Sequence, residues 1–108
     1  MLDEYLFHGQ KLEKTMVDIT VKEIQAGSET VCEVVVSEGA SQTEHRVQVS
    51  EKLYEELTGG KISKADCVAA AFRFLLDREP KESILRKFDL GLISHYFPEF
   101  EREFSSYL

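Results

Sequence analysis

Residues 63–79 read SKADCVAAAFRFLLDRE, and this stretch decides how the rest of the chain is organised. Ser63 followed three residues later by Asp66 has the form of a capping box. A serine hydroxyl there accepts from a first-turn backbone N–H, and an acid at the third position reaches back. Asp66 also suits the positive end of a helix dipole. Ala65, Val68, Phe72, Leu75 and Leu76 recur at three- and four-residue steps, which marks one helix face. Cys67, Ala70, Ala71 and Phe74 widen that face, and only a strip with Lys64, Arg73 and Asp77 is clearly polar. So broad an apolar surface predicts more than one packing neighbour. Pro80 cannot continue the hydrogen-bond ladder, so the helix is expected to end by Glu79.

Upstream of this helix the period changes from three-to-four to two. Val17, Ile19 and Val21 alternate with Asp18, Thr20 and Lys22, as in a half-buried strand. Val31 to Ser37 is rich in β-branched residues and reads as a central strand. Glu44 to Val49 alternates again, with His45, Val47 and Val49 on one side and Glu44, Arg46 and Gln48 on the other. Turns at Gln25–Glu29 and Glu38–Gln42 join the three into an antiparallel meander with one face for helices. Ser50 is placed to cap a short helix from Glu51 to Leu57, which Thr58, Gly59 and Gly60 stop.

Downstream, Pro80 suits the first position of a short helix over Lys81 to Phe88, with Ile84, Leu85 and Phe88 inward. Asp89 is the expected cap of a further helix to Phe97, and Pro98 opens a last one carrying Phe100 and Phe104. Met1 to Thr15 has a short apolar pattern at Leu2, Tyr5 and Leu6, broken by Gly9, and reads as a lead-in. The expected fold is therefore α+β in one domain over residues 1–108. It is a three-stranded antiparallel meander, then a short helix, one long central helix and short C-terminal helices packed on one sheet face.

At 108 residues the chain is large enough to own a core, and 43% hydrophobic residues places it among globular domains. The longest apolar run, near Val68–Phe72, is far short of a membrane span. The opening MLDEYLFHGQ carries acids where a signal peptide would be basic, so a cytoplasmic location is expected. Cys32 and Cys67 form no CxxC pair and fit two buried reduced thiols. A formal charge of −7 argues against general affinity for phosphate backbones and leaves a local basic patch as the only route to one.

Three residue groups bear on chemistry. Phe88, Tyr96, Phe97, Phe100, Phe104 and Tyr107 concentrate six of the eleven aromatics into residues 88–108. Such a cluster serves either to hold short helices to the body of the domain or to line an apolar groove. On the second reading Tyr96, Phe97, Phe100 and Phe104 are the candidate partner or ligand surface. The histidines His8, His45 and His95 have no metal-ligand spacing among themselves or with the cysteines, so no metal is expected. No GxSxG, P-loop or HExxH is present, and Gly59-Gly60-Lys61 reads as a helix stop. Neither a catalytic residue nor a cofactor is assigned. Five basic residues, Arg73, Arg78, Lys81, Arg86 and Lys87, are interleaved with Asp77, Glu79 and Glu82 and read as a solvated ion-pair surface.

The order strand, helix, turn, helix over residues 45–79, HRVQVSEKLYEELTGGKISKADCVAAAFRFLLDRE, resembles the ribbon-helix-helix family of bacterial DNA-binding proteins. In that family two chains pair one strand each into a ribbon that enters the major groove, and the second helix turns its N-terminus to a phosphate. The resemblance implies a homodimer, with Arg46 and Gln48 reading bases and Ser63 and Lys64 meeting phosphate. The reading made from the residues themselves is different. It is a non-catalytic interaction or accessory module, monomer or homodimer, whose partner is another protein. A small enzyme or ligand carrier with an aromatic-lined pocket is the third expectation.

Overall fold

The computed structural model describes residues 17–108. Three antiparallel strands come first: β1 (Val17–Ala26), β2 (Glu29–Glu38) and β3 (Ser41–Val49). Each hairpin turns on two residues, Gly27-Ser28 and Gly39-Ala40, with the glycine at positive φ (65° and 62°). A glycine first in a two-residue loop supplies the backbone twist that the flanking strands need. Helix α1 (Glu51–Thr58) follows, then the central helix α2 (Lys64–Leu76). A 3-10 turn (Lys81–Ser83) leads to β4 (Lys87–Asp89), α3 (Leu92–Tyr96), α4 (Phe100–Glu103) and a last 3-10 turn (Phe104–Tyr107). The architecture is α+β. Among the described residues no helix is long and apolar enough to cross a membrane.

Both serine caps form, but among the described residues the Asp66 carboxylate does not return a bond to the Ser63 N–H, so the capping box is only half made. Ser50 Oγ accepts from Leu53 N at 3.2 Å, and Ser63 Oγ accepts from Asp66 N at 3.0 Å. Helix α2 gains a further acceptor from the sheet, because Glu23 Oε2 takes Ala65 N at 2.9 Å. The helix stops at Asp77, three residues before Pro80 and two residues short of Glu79.

The sheet has the order β1-β2-β3-β4, so the meander is extended by a fourth strand. Strand β4 runs parallel to β3 and pairs Arg46 with Lys87, Val47 with Phe88 and Gln48 with Asp89. Parallel pairing requires a long crossover, which α1 and α2 supply. This corrects the expected helix over Lys81–Phe88. Its first residues make only one 3-10 turn, and the rest is extended. The apolar spacing of Ile84, Leu85 and Phe88 fits a helix, but in the extended chain Ile84 is buried and Leu85 turns out to 51% exposure. The helix expected from Asp89 also starts later, at Leu92, because Asp89 Oδ1 accepts Gly91 N at 2.8 Å in a tight turn.

One sheet face carries the helices. Cys32, Val34 and Val36 of β2 and His45, Val47 and Val49 of β3 are buried under it. Helix α2 buries Cys67, Val68, Ala70, Ala71, Phe72, Phe74 and Leu75, so its broad apolar surface meets the sheet on one side and the C-terminal residues on the other. Phe74 contacts the rings of Phe97, Phe100 and Tyr107 at centroid distances of 5.9, 5.0 and 5.7 Å. Among the described residues no helix packs on the opposite sheet face, which bears Lys22, Glu33, Arg46 and Lys87 in one cross-strand row. Leu2, Tyr5, Leu6 and His8 lie outside the described residues.

Candidate functional site

The chain beyond α2 builds an apolar cleft of about 350 Å³. Its floor comes from Leu75, Ile84, Phe88 and Ile93, and its rim from Leu85 and Tyr96. Leu85 and Tyr96 are 51% and 64% exposed, unusual for large apolar side chains beside a filled core. The volume falls at the small end of the range for ligand and peptide pockets.

Each wall has a local cause. Pro80 enters the 3-10 turn in an extended conformation and sends the chain away from α2. Lys81 anchors that turn: its ammonium is buried, donating to Glu82 Oε2 at 2.7 Å and to Glu38 Oε1 at 3.3 Å. The bond to Glu82, with that to Glu38, raises the Lys81 pKa against the opposing effect of burial. His45 then fixes the next segment. Its Nδ1 lies 2.8 Å from the Leu85 carbonyl, which can only accept, so Nδ1 carries the proton. The other ring nitrogen, Nε2, is 2.8 Å from the Thr43 hydroxyl. The imidazole is 4% exposed and lies against Phe72, 5.3 Å between ring centroids. A core histidine thus holds the backbone of Leu85 while the Leu85 side chain is turned to solvent.

Polar groups in the cleft are few. Glu79 and Ser83 are the polar residues among those lining it. The Glu79 carboxylate makes no ion pair among the described residues. Nearby Arg78 is fully engaged. Its guanidinium sits 3.6 Å from the Phe74 ring centroid and bonds Glu99 at 3.0 Å, Glu103 at 2.8 Å and the Tyr107 hydroxyl at 3.3 Å. This network fastens the C-terminal residues to α2, leaving Glu79 as the cleft's available charge.

The four expected aromatic surface residues divide. Tyr96 and Phe97 line the cleft. Phe100 and Phe104 are core, 0% and 1% exposed, because Phe100 packs on Phe74 and Phe104 packs on Phe100. They are not surface, which corrects half of that group. Leu85 and Glu79 were missed. Adjacent apolar residues such as Ile84 and Leu85 do hint at an extended segment with one side chain outward, but nothing local marks Glu79.

The residues implied by the ribbon-helix-helix resemblance are apart. Arg46 and Gln48 point from the sheet face opposite the helices, where Arg46 lies 3.6 Å from Glu33 and Gln48 donates to Glu29 at 2.9 Å. Ser63 spends its hydroxyl on the α2 cap, and Lys64 is bound to Glu51 at 2.8 Å and to Thr30 at 3.2 Å. Strand β3 is paired with β2 on one edge and with β4 on the other at Arg46–Gln48. Pairing it with a second chain there requires β4 to leave.

None of the described cysteines and histidines lines the cleft. Cys32 and Cys67 are free, buried thiols. Burial pushes each up to about 11, with Glu23 adding to the effect at Cys32. Thiols held protonated in this way are inert near neutral pH. His95 is exposed and meets the Tyr96 ring edge-on, 5.3 Å between centroids. Among the described residues no group of three His, Cys, Asp or Glu side chains is arranged to hold a metal ion. Comparison of the chain with protein-family models, with curated proteins and with solved structures returned no match.

Proposed function

We propose that this chain is a non-catalytic interaction module that seats a short amphipathic segment of a partner protein in the cleft beside Leu85 and Tyr96. The observation that carries this is the exposure of those two side chains at the rim of a preformed apolar cavity of about 350 Å³. Apolar anchors of a helical or extended peptide are read by grooves of this kind. Glu79 gives the partner a charge: a lysine or arginine beside the apolar anchors would meet an acid that has no ion-pair partner among the described residues. The buried, protonated cysteines and the fully bonded His45 support a binding role over a catalytic one.

A phage-displayed library of random peptides tests the reading. Selection on the folded chain is expected to enrich apolar sequences carrying a lysine or arginine. Leu85→Asp is expected to weaken the selected peptides at least tenfold, roughly the loss of one well-buried apolar contact. Glu79→Gln should weaken them by a smaller factor. Peptides that bind Leu85→Asp as well as the original chain would sink the proposal.

The alternative is a dimeric DNA-binding protein. It rests on Arg46 and Gln48, which stand on the sheet face opposite the helices with Lys22 and Lys87 in reach of the same ligand. It predicts duplex binding that weakens steeply with salt and is lost in Arg46→Ala without loss of fold. No binding at low salt removes it.

A further inference from the structure

Strand β1 is ten residues long and forms one border of the sheet. Its outer edge has no partner strand among the described residues. A long edge is a template for another strand, and proteins blunt it with a bulge, a proline, a short length or charged side chains; of these, β1 has only its charges, Asp18, Lys22 and Glu23. Strand β1 pairs with β2 in unbroken register from Val17 to Ala26 and contains no proline. On the helix-bearing side, Val17, Ile19 and Val21 are only partly buried, though β-branched and facing the core. A groove of about 410 Å³, lined by Val17, Ile19, Arg73, Leu76, Pro80 and Tyr107, opens beside them.

The order of side chains along this edge is self-complementary. Two copies of one strand that pair antiparallel about a twofold axis perpendicular to the sheet keep their faces, so paired residues must share a face. With Thr20 opposite Thr20, Asp18 of each copy faces Lys22 of the other on the side opposite the helices. On the helix-bearing side each Ile19 faces a Val21. Val17 falls opposite Glu23, whose carboxylate is already bonded to Ala65 N. Neighbouring symmetric registers lack this match. Centring on Val21 sets Asp18 against Ile24, and centring on Lys22 sets like charges together. Centring on Ile19 places Lys22 beyond the start of β1.

We propose that β1 pairs with β1 of a second copy of this chain in the Thr20-on-Thr20 register. One continuous sheet then spans both copies, with both helical layers on the same side. The twofold brings the partly buried Ile19 and Val21 of each copy together. It also leaves the cleft at Leu85, which lies beyond β3 and β4, free in both.

Size-exclusion chromatography with light scattering on the full chain is expected to give twice 12.4 kDa at micromolar concentration and above. Lys22→Asp and Asp18→Lys each put like charges at two symmetric positions. Each is expected to raise the dissociation constant roughly tenfold or more. The double swap, Asp18→Lys with Lys22→Asp, is expected to restore the dimer. Leu85→Asp should leave it unchanged. Circular dichroism of every variant separates loss of pairing from loss of fold, since Lys22 also faces Glu33 within its own sheet. A monomer at all concentrations overturns the proposal, as when the chain's own first residues cover the edge. So does a dimer indifferent to either single reversal, or a folded double swap that stays monomeric.

Discussion

The meander over residues 17–49 and the C-terminal arm over residues 80–108 are held by different physics. In the meander a backbone ladder does the work. Each residue's face follows from its parity, and two unbroken registers fix every pair from Val17–Glu38 to Thr30–Val49. In the arm no regular element exceeds five residues. Isolated helices of that length do not persist in water. The arm instead holds on through a few large side chains, gathered around Phe74 and Arg78 of the central stretch. A backbone-organised region tolerates change at single side chains. A side-chain-organised region concentrates its stability in very few of them.

The strongest way to break this contrast is Phe74→Ala. Phe74 is fully buried and touches Phe97, Phe100, Tyr107 and the Arg78 guanidinium. Removing the ring is expected to cost about 3–5 kcal/mol. Amide exchange should show the arm losing protection before the meander does. Equal loss in both regions would mean that the two fold as one unit.

What could be read in the sequence follows the same division. The period of two in the strands, and the caps at Ser50 and Ser63, depend on residues within a few positions of each other, and they fold as the residues predict. Strand β4 was hidden because Lys87-Phe88-Asp89 acquires its conformation from β3, some forty residues earlier. Arg46 N donates to Arg86 O at 2.7 Å, and Leu90 N to Gln48 O at 2.9 Å. The cleft was half visible. Aromatic density pointed to Tyr96 and Phe97. The outward turn of Leu85 depends on His45 holding its carbonyl, a contact with no local signature.

Alkaline pH probes the seam between meander and central helix, where Cys32 and Cys67 lie. Their folded values near 11 stand above the ordinary 9.0, so the folded chain keeps protons that the unfolded chain has lost. Stability is therefore whole below about pH 9 and falls as pH rises toward about 11, by on the order of 2 kcal/mol for each thiol. Urea denaturation at about pH 8 and about pH 10.5 measures this. A Cys32→Ala, Cys67→Ala double variant should lose most of that slope. A slope that persists would assign it to other groups.

Within the arm, Arg78→Met sharpens the contrast by removing charge while keeping much of the apolar stem. It gives up the contacts to Glu99, Glu103 and the Tyr107 hydroxyl, and the cation–π contact with Phe74. The expected cost is about 1–2 kcal/mol, since the acids are partly exposed. Loss of protection should be confined to residues after Pro98. A cost below that of an ordinary surface substitution would mean that aromatic packing alone secures the arm.

The smallest effect belongs to the meander. Gly39 sits at φ 62° in the β2–β3 turn, and a methyl group there would meet no atom within 4 Å. Gly39→Ala therefore costs only the strain of a left-handed backbone, about 1 kcal/mol. Equilibrium denaturation should show that loss with an unchanged dependence on denaturant. Exchange in the arm should change only through the global term, because the register on both sides of the turn is set by pairs such as Val36–Thr43 and Val34–His45. The second of these pairs makes the test sharp. His45 also holds Leu85, so a register slip started at Gly39 would reach the cleft and weaken its selected peptides. Unaltered peptide affinity in Gly39→Ala shows the ladder absorbing a local strain, whereas reduced affinity would show the two regions coupled through His45.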